Sequence, residues 1–200
     1  RERHRGFESL SLRHTLLQTT RNHMHRHPIV ITMWLLLASA AHAQDFNHAA
    51  HMADMARQAR QAEVARRGVD VMPFSLAATQ HVFTKTANGG VQQVIVRDAA
   101  DEPQRRLVRT HLQQLRTELL VGNFAGPAHI HGGDMPGLTQ LQAAPPGNLS
   151  ITYRDVPDGG ELTYEATTPA LVAAVHAWFD AQVSDHGRDA AAGLASHVAP

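Results

Sequence analysis

The sequence predicts an α+β fold: a ββα–ββα pseudo-repeat in which a four-stranded antiparallel sheet carries two helices on one face, preceded by an N-terminal helix. The first observation is that two hairpin patterns, each with a Gly-Gly pair, lie in the two halves of the chain. The second is that a proline-initiated helix follows each hairpin. The third is that each helix has a histidine in its apolar stripe, His111 in one and His176 in the other.

The N-terminal segment has the pattern of an export signal. A basic stretch starting at Met24 precedes an apolar run of about 12 residues, and Ala41-His42-Ala43 fits a cleavage site. The run is shorter than the roughly 20 residues that a membrane-spanning helix needs. We therefore expect residues 24–43 to be a signal peptide, cleaved near Ala43 to leave a periplasmic or secreted protein that is not membrane-integral. Residues 1–23 fit a non-native upstream extension.

The composition of residues 44–70, which are rich in Ala, Gln and Arg, predicts a helix that ends near Gly68. Four of its side chains are spaced i, i+3, i+4 and i+7, which places them on one face. Imidazole and thioether groups suit copper, and the thioether favours the reduced ion. The face is therefore a candidate secondary metal site, unless its methionines pack on the main domain. Its members are His48, His51, Met52 and Met55.

The main domain is expected over residues 71–187, and its first half begins with a hairpin. Strands Thr79 to Thr86 and Val91 to Arg97 flank an Asn-Gly turn, and His81 shares a strand face with Phe83. A helix then runs from about Pro103 to Val121. The apolar stripe of this helix contains Leu107, Val108, His111, Leu112, Leu115 and Leu119.

The segment that links the two halves, residues 123–137, reads as a metal-binding loop. If His129 to His131 is extended, both imidazoles leave the same side of the chain about 7 Å apart. The glycines at 132 and 133 would let the chain fold back and bring Asp134 or Met135 to the same point. The alternative is a polar Gly/Pro connection that happens to contain two histidines.

The second half repeats the first after a short segment at residues 138–142. Strands at 149–154 and 161–167 enclose a turn, and a helix follows over residues 168–185. His176 lies in its apolar stripe and His186 continues that face. The two are about 15 Å apart along a helix, so they are too far apart to bind one ion together. Residues 188–200 are expected to be a disordered tail.

Composition narrows the chemistry. The chain has 15 histidines, no cysteine and a formal net charge of zero. The absence of cysteine excludes disulfides, thiolate zinc sites, iron–sulfur clusters and covalent c-type haem. Nothing indicates a nucleic-acid partner. Copper is the leading ion; zinc bound by three histidines and water is also possible, and non-covalent haem is less favoured because aromatic residues are few.

These observations predict an exported, non-enzymatic metal-binding protein for storage, sensing or tolerance. One alternative is a periplasmic ligand-binding or interaction domain with a buried structural histidine network; another is a small hydrolase or lyase using His131 and Asp134. Serine-hydrolase, zinc-protease, phosphate-loop and dinucleotide motifs are missing, which disfavours an enzyme. The candidate ligands are His131, His129, His111, His81, His176, Met135 and His186.

Residues 65–187 also resemble a family of small exported bacterial proteins without an established activity. The resemblance rests on strings such as Thr79-Gln80-His81-Val82-Phe83, Arg109-Thr110-His111-Leu112 and Ala174-Val175-His176-Ala177-Trp178-Phe179, and also on His131 and His186. Some members carry the name aspartate carbamoyltransferase. The present chain does not support that activity, because only Val108-Arg109-Thr110 faintly echoes the Ser-Thr-Arg-Thr phosphate loop, and within a helix.

Overall fold

The computed structural model describes the backbone of residues 28–194 and the side chains of residues 48–194. The predicted extension at residues 1–23, the start of the signal peptide and the last six residues lie outside the described part. The described part of the chain divides into two compact units between residues 53 and 54, and the second unit contains the whole sheet. None of the described helices is both long enough and apolar enough to cross a membrane.

Five α-helices, two short 3-10 helices and five strands make up the described chain. The strands occur as two hairpins, each followed by at least one helix, and a short fifth strand comes last. The helices are α1 (Pro28–Gly68), α2 (Glu102–Leu120), α3 (Ala125–His131), α4 (Leu138–Gln142) and α5 (Pro169–His186), and the strands are β1 (Thr79–Thr86), β2 (Gly89–Val96), β3 (Leu149–Val156), β4 (Gly159–Ala166) and β5 (Ala190–Ala192).

The sheet has the strand order β3-β4-β2-β1-β5. The α+β class is confirmed, but the four-stranded antiparallel sheet is wrong, because β5 adds a fifth strand that pairs with β1 in parallel. Residues 190–192 were assigned to a disordered tail. They are three alanines, which carry no strand signal, and they join the sheet through backbone groups that any sequence possesses.

Both long helices of the main domain pack on one face of this sheet. The second glycine of each Gly-Gly pair makes the close approach possible. A Cβ on Gly160 would lie 3.0 Å from Cδ1 of Leu112 in α2, and one on Gly90 would lie 2.3 Å from Cε2 of Phe179 in α5. Gly90 and Gly160 occupy the same sheet face, because Gly160 pairs with Val94 and Val94 alternates in step with Gly90.

The starts of the two helices follow the capping signals in the sequence. The Asp101 carboxylate accepts a hydrogen bond from the backbone N–H of Gln104 at 3.2 Å, and the Thr168 hydroxyl accepts one from the N–H of Leu171 at 3.3 Å. A proline occupies the first turn of each helix, where its missing N–H has no cost. Between the helices and the sheet lies one buried core, in which Trp178 packs against Phe124, Tyr164 and Phe179.

Candidate functional site

Three buried imidazoles from three different elements meet at one end of the helix–sheet layer. His81 comes from β1, His131 from the end of α3 and His186 from the end of α5; their exposed fractions are 4%, 2% and 8%. The rings of His81 and His186 are nearly parallel, with centroids 5.0 Å apart. The rings of His131 and His186 are edge to face at 4.9 Å. We call these three residues the inner histidine cluster.

Local sequence explains why each ring points inward. His81 alternates with the outward-facing residues of β1 and so shares the core side with Phe83. His131 and His186 are each the last residue of a helix, and each is followed by a glycine with positive φ, +88° at Gly132 and +55° at Gly187. Those glycines turn the chain directly after the histidine.

A carboxylate and a guanidinium fix the orientation of His131. Its Nδ1 lies 2.9 Å from Oδ2 of Asp185. Arg60 of α1 donates from Nη2 to the same oxygen at 2.6 Å and from Nε to Oδ1 at 3.1 Å. Arg60 also donates to the backbone carbonyl of His131 at 2.5 Å. With Asp185 ionised, Nδ1 of His131 is the donor in this hydrogen bond, so the tautomer of the neutral ring that it selects has its lone pair on Nε2.

The charge state of Asp185 follows from these contacts. Burial alone would raise its pKa, but the hydrogen bonds from His131 and Arg60 outweigh burial and lower the pKa to about 2. The carboxylate is therefore ionised throughout the physiological range. It remains a fixed acceptor for the His131 ring.

The other two histidines of the cluster are held in the neutral form. Burial, aided by the neighbouring His111 and His131, lowers the pKa of His81 to about 4. Burial, aided by His81 and His131, lowers that of His186 to about 2. The buried Nδ1 of His81 also has no hydrogen-bond partner among the described residues. A neutral imidazole presents a lone pair, which is the form that binds metal ions.

A cavity of about 40 Å³ adjoins the cluster. Compared with the volume that one buried water molecule needs, the cavity has room for roughly one to three water molecules. Its walls are mostly apolar, with Val94, Leu112, Leu115 and Ile130 among them. Its polar lining residues are His81, Gln92, His111, His131, Gln182 and His186.

His111 lies beside the cluster and contacts the same phenylalanine as His81. The Phe74 ring meets His111 edge-on at a centroid distance of 5.5 Å and lies 5.9 Å from the ring of His81. Burial lowers the pKa of His111. His111 therefore contributes a neutral imidazole to the cavity wall.

The predicted extended His-x-His loop is wrong, because His129 and His131 belong to helix α3. Two residues apart on a helix is about 200° of rotation, so the two rings point to opposite sides. His129 is 53% exposed, and its Nε2 lies 3.0 Å from Oδ2 of Asp70 at the surface. Only His131 reaches the interior.

His176 also lies away from the cluster. Its Nε2 donates to the backbone carbonyls of Thr86 at 3.0 Å and Gly89 at 2.9 Å. The ring therefore ties α5 to the turn of the β1–β2 hairpin. Within residues 48–194, His176 makes these contacts to the backbone, and its ring is not paired with the ring of another histidine.

The loop after α3 returns Asp134 and Met135 to the neighbourhood of His131. Both line an open cleft of about 340 Å³ on the surface side of His131, together with Arg60 and Asp185. Met135 itself is buried, with 5% of its surface exposed. The side chains of the candidate secondary metal site, in contrast, face solvent. Met52 and Met55 are 55% and 50% exposed, and His48 and His51 are exposed as well.

Sequence reasoning missed Arg60 and gave Asp185 no defined role. Arg60 sits in a helix with many other arginines, and nothing local marks it as the partner of a residue at the opposite end of the chain. Asp185 directly precedes His186, and that adjacency was the one available signal. Its partner proved to be His131 instead.

As the side chains stand, no group of three or more His, Asp or Glu residues within residues 48–194 has the arrangement of a metal site. The cluster is therefore a convergence of rings and not a preformed metal centre. Comparisons with protein-family models, with curated proteins and with solved structures found no match, so the resemblance to small exported proteins stays a prediction.

Proposed function

We propose that the protein is a non-enzymatic transition-metal-binding protein, with copper as the first candidate ion and the inner histidine cluster as the site. The observation that carries the proposal is the spacing of the three rings. Two imidazoles on one ion, with metal–nitrogen bonds of about 2.0 Å and a tetrahedral angle, have centroids about 5 Å apart. The observed separations are 5.0 Å for His81–His186 and 4.9 Å for His131–His186.

The electrostatics of the cluster support the same function. A histidine must lose its proton before it binds a metal ion, and the low pKa values of His81 and His186 remove that competition. The unpartnered Nδ1 of His81 is a buried polar atom that a metal ion would satisfy. Asp185 gives His131 the carboxylate partner that metal-binding histidines usually have.

Binding requires the rings to turn. The planes of His81 and His186 differ by 6°, whereas His131 stands at 80° to His186. The adjoining cavity of about 40 Å³ provides space for such a rotation. A bound arrangement would differ from the one described in the side-chain angles of these three histidines.

The available donors favour copper. Cysteine is missing, the donors are imidazoles, and Met135 lines the cleft on the surface side of His131. Zinc bound by three histidines and a water molecule is the competing ion. Haem does not fit, because ligand pockets for organic molecules measure roughly 300 Å³ or more, and this cavity measures about 40 Å³.

A buried structural histidine network is the second candidate, and the lack of a preformed metal group among the described residues favours it. In that case the stacked rings and the His131–Asp185 pair would serve stability alone. The hydrolase alternative is weaker, since Nδ1 of His131 is bonded to Asp185 and not to Asp134, the residue named for that chemistry.

Metal analysis of the protein purified without a histidine tag tests the proposal. Elemental analysis would be followed by titration with Cu(I), Cu(II) and Zn(II) of the wild type and of His131→Ala. His129→Ala is the matched control, because it removes an exposed histidine two residues away. We expect about one ion per chain, lost in His131→Ala and retained in His129→Ala. Equal loss in both variants, or no stoichiometric metal in the wild type, would contradict the proposal.

A further inference from the structure

We propose that the last part of α1, residues 54–68, is a movable strap over the inner histidine cluster, and that Arg60 is the latch that holds it closed. The inference rests on the proposed function, since it assigns control of metal access to the strap. The strap and the three histidines of the cluster all lie within the second compact unit.

Two surface clefts that border the strap support this role. The cleft of about 340 Å³ contains Arg60 of the strap and reaches His131. A separate cleft of about 270 Å³ contains Gln61 of the strap and reaches His186. Because consecutive strap residues line the two clefts, lifting the strap would join them and open both buried histidines to solvent.

Few contacts fasten the strap. Arg60 bonds the Asp185 carboxylate and the carbonyl of His131, and Nε2 of Gln61 donates to the carbonyl of Ser184 at 2.9 Å. Val64 is fully buried, whereas most other strap side chains face solvent. Segments with few buried apolar contacts are those that open at low free-energy cost.

The latch and the metal site share one carboxylate. Oδ2 of Asp185 accepts from both Arg60 and His131. When the strap is closed, Arg60 therefore fixes the carboxylate that fixes the His131 ring. When it lifts, Asp185 keeps His131 as a partner but loses the guanidinium. The Asp185 carboxylate therefore couples solvent access to the cluster with the orientation of the His131 ring.

Two strap variants and one control test the inference. Arg60→Ala removes the latch, and Val64→Ala removes the buried side chain without touching Asp185. Arg57→Ala is the control, because Arg57 pairs with Asp54 one turn away on the same helix. The first measurement is amide hydrogen exchange of residues 54–68 together with carbethoxylation of His131 and His186 in the metal-free protein. The second is the rate of Cu(II) and Zn(II) uptake, and of release to a chelator.

We expect exchange, carbethoxylation and metal uptake to rise roughly tenfold or more in both strap variants, and to stay within about twofold in the control. Val64→Ala should change uptake and release rates more than the dissociation constant. Unchanged exchange in both variants would overturn the strap. If the wild type bound no metal, exchange and carbethoxylation would still report on the strap, so the two proposals fail separately.

Discussion

The imidazoles of His81 and His186 lie almost in parallel, 6° apart in plane and 5.0 Å between centroids, although they come from opposite ends of the main domain. The fifth strand explains this juxtaposition. Ala190 pairs with His81 in the parallel β1–β5 ladder, and His186 lies four residues before Ala190 in the chain. The short strand therefore brings the end of α5 alongside β1 and assembles the inner histidine cluster.

The low pKa values of His81 and His186 predict loss of stability in acid. In the unfolded chain both residues titrate near 6.5, whereas the folded values are about 4 and about 2. Below pH 6.5 the unfolded state binds more protons than the folded state, so the free energy of unfolding falls as the pH falls. His81 alone would account for a loss on the order of 3 kcal/mol by pH 4.

Urea denaturation of the metal-free protein at pH 7, 5.5 and 4 measures this loss. His81→Gln should reduce the dependence between pH 6.5 and 4, and the part due to His186 should remain. His129→Gln is the matched control, because it removes a histidine that is 53% exposed and lies outside the cluster. A dependence that is the same in wild type and His81→Gln would refute the explanation.

Asp185→Asn should weaken metal binding by about 10- to 100-fold, the usual effect of losing the carboxylate behind a histidine ligand. The amide no longer enforces the Nδ1–H tautomer of His131, so Nε2 is presented as a lone pair for less of the time. Isothermal titration with Cu(II) and Zn(II) measures the change. Asp134→Asn is the matched control, because Asp134 lines the same cleft as Asp185. The His131 ring is hydrogen-bonded to Asp185, so we expect the control to keep its metal affinity. Equal affinities in the two variants would count against the role of Asp185.

His176→Ala should destabilise the fold and leave metal binding intact. The substitution strands the carbonyls of Thr86 and Gly89, and the loss of such a bond costs about 1–3 kcal/mol. Denaturation and metal titration of the same preparation measure both quantities. A variant that keeps its stability but loses metal would place His176 in the site.

Gly90→Ala should destabilise the protein by about 1–3 kcal/mol, the usual cost of overpacking a core. The new methyl group would stand 2.3 Å from Cε2 of the buried Phe179 ring. Gly133→Ala is the control, because nothing lies within 4 Å of the position that its Cβ would occupy. Thermal melting of the two variants gives the comparison, and similar melting temperatures would contradict the proposed close approach of α5 to the sheet.

Local signals predicted the hairpins and the two long helices of the main domain. The Asn-Gly turn, the caps Asp101 and Thr168 and the prolines after them act within a few residues, so they can be recognised in the sequence. His81 and His131 were also expected to converge, but together with His111 and His176. His176 instead bonds the hairpin turn, and His186 takes its place beside the other two rings.

The remaining features depend on tertiary contacts. Helix α3 contains a glycine and a proline, yet Pro127 is tolerated in its first turn, where backbone N–H groups have no helical partner. Strand β5 is three alanines that pair through the backbone. Arg60 binds a residue from the other end of the chain. No short sequence pattern marks any of the three.

The parallel pairing of Ala190–Ala192 with β1 can form only late in synthesis, because β5 follows α5 in the chain. The ribosome releases His81 and His131 well before it releases His186 and the strand that anchors it. A nascent chain therefore lacks the third ring until almost all of its domain has emerged.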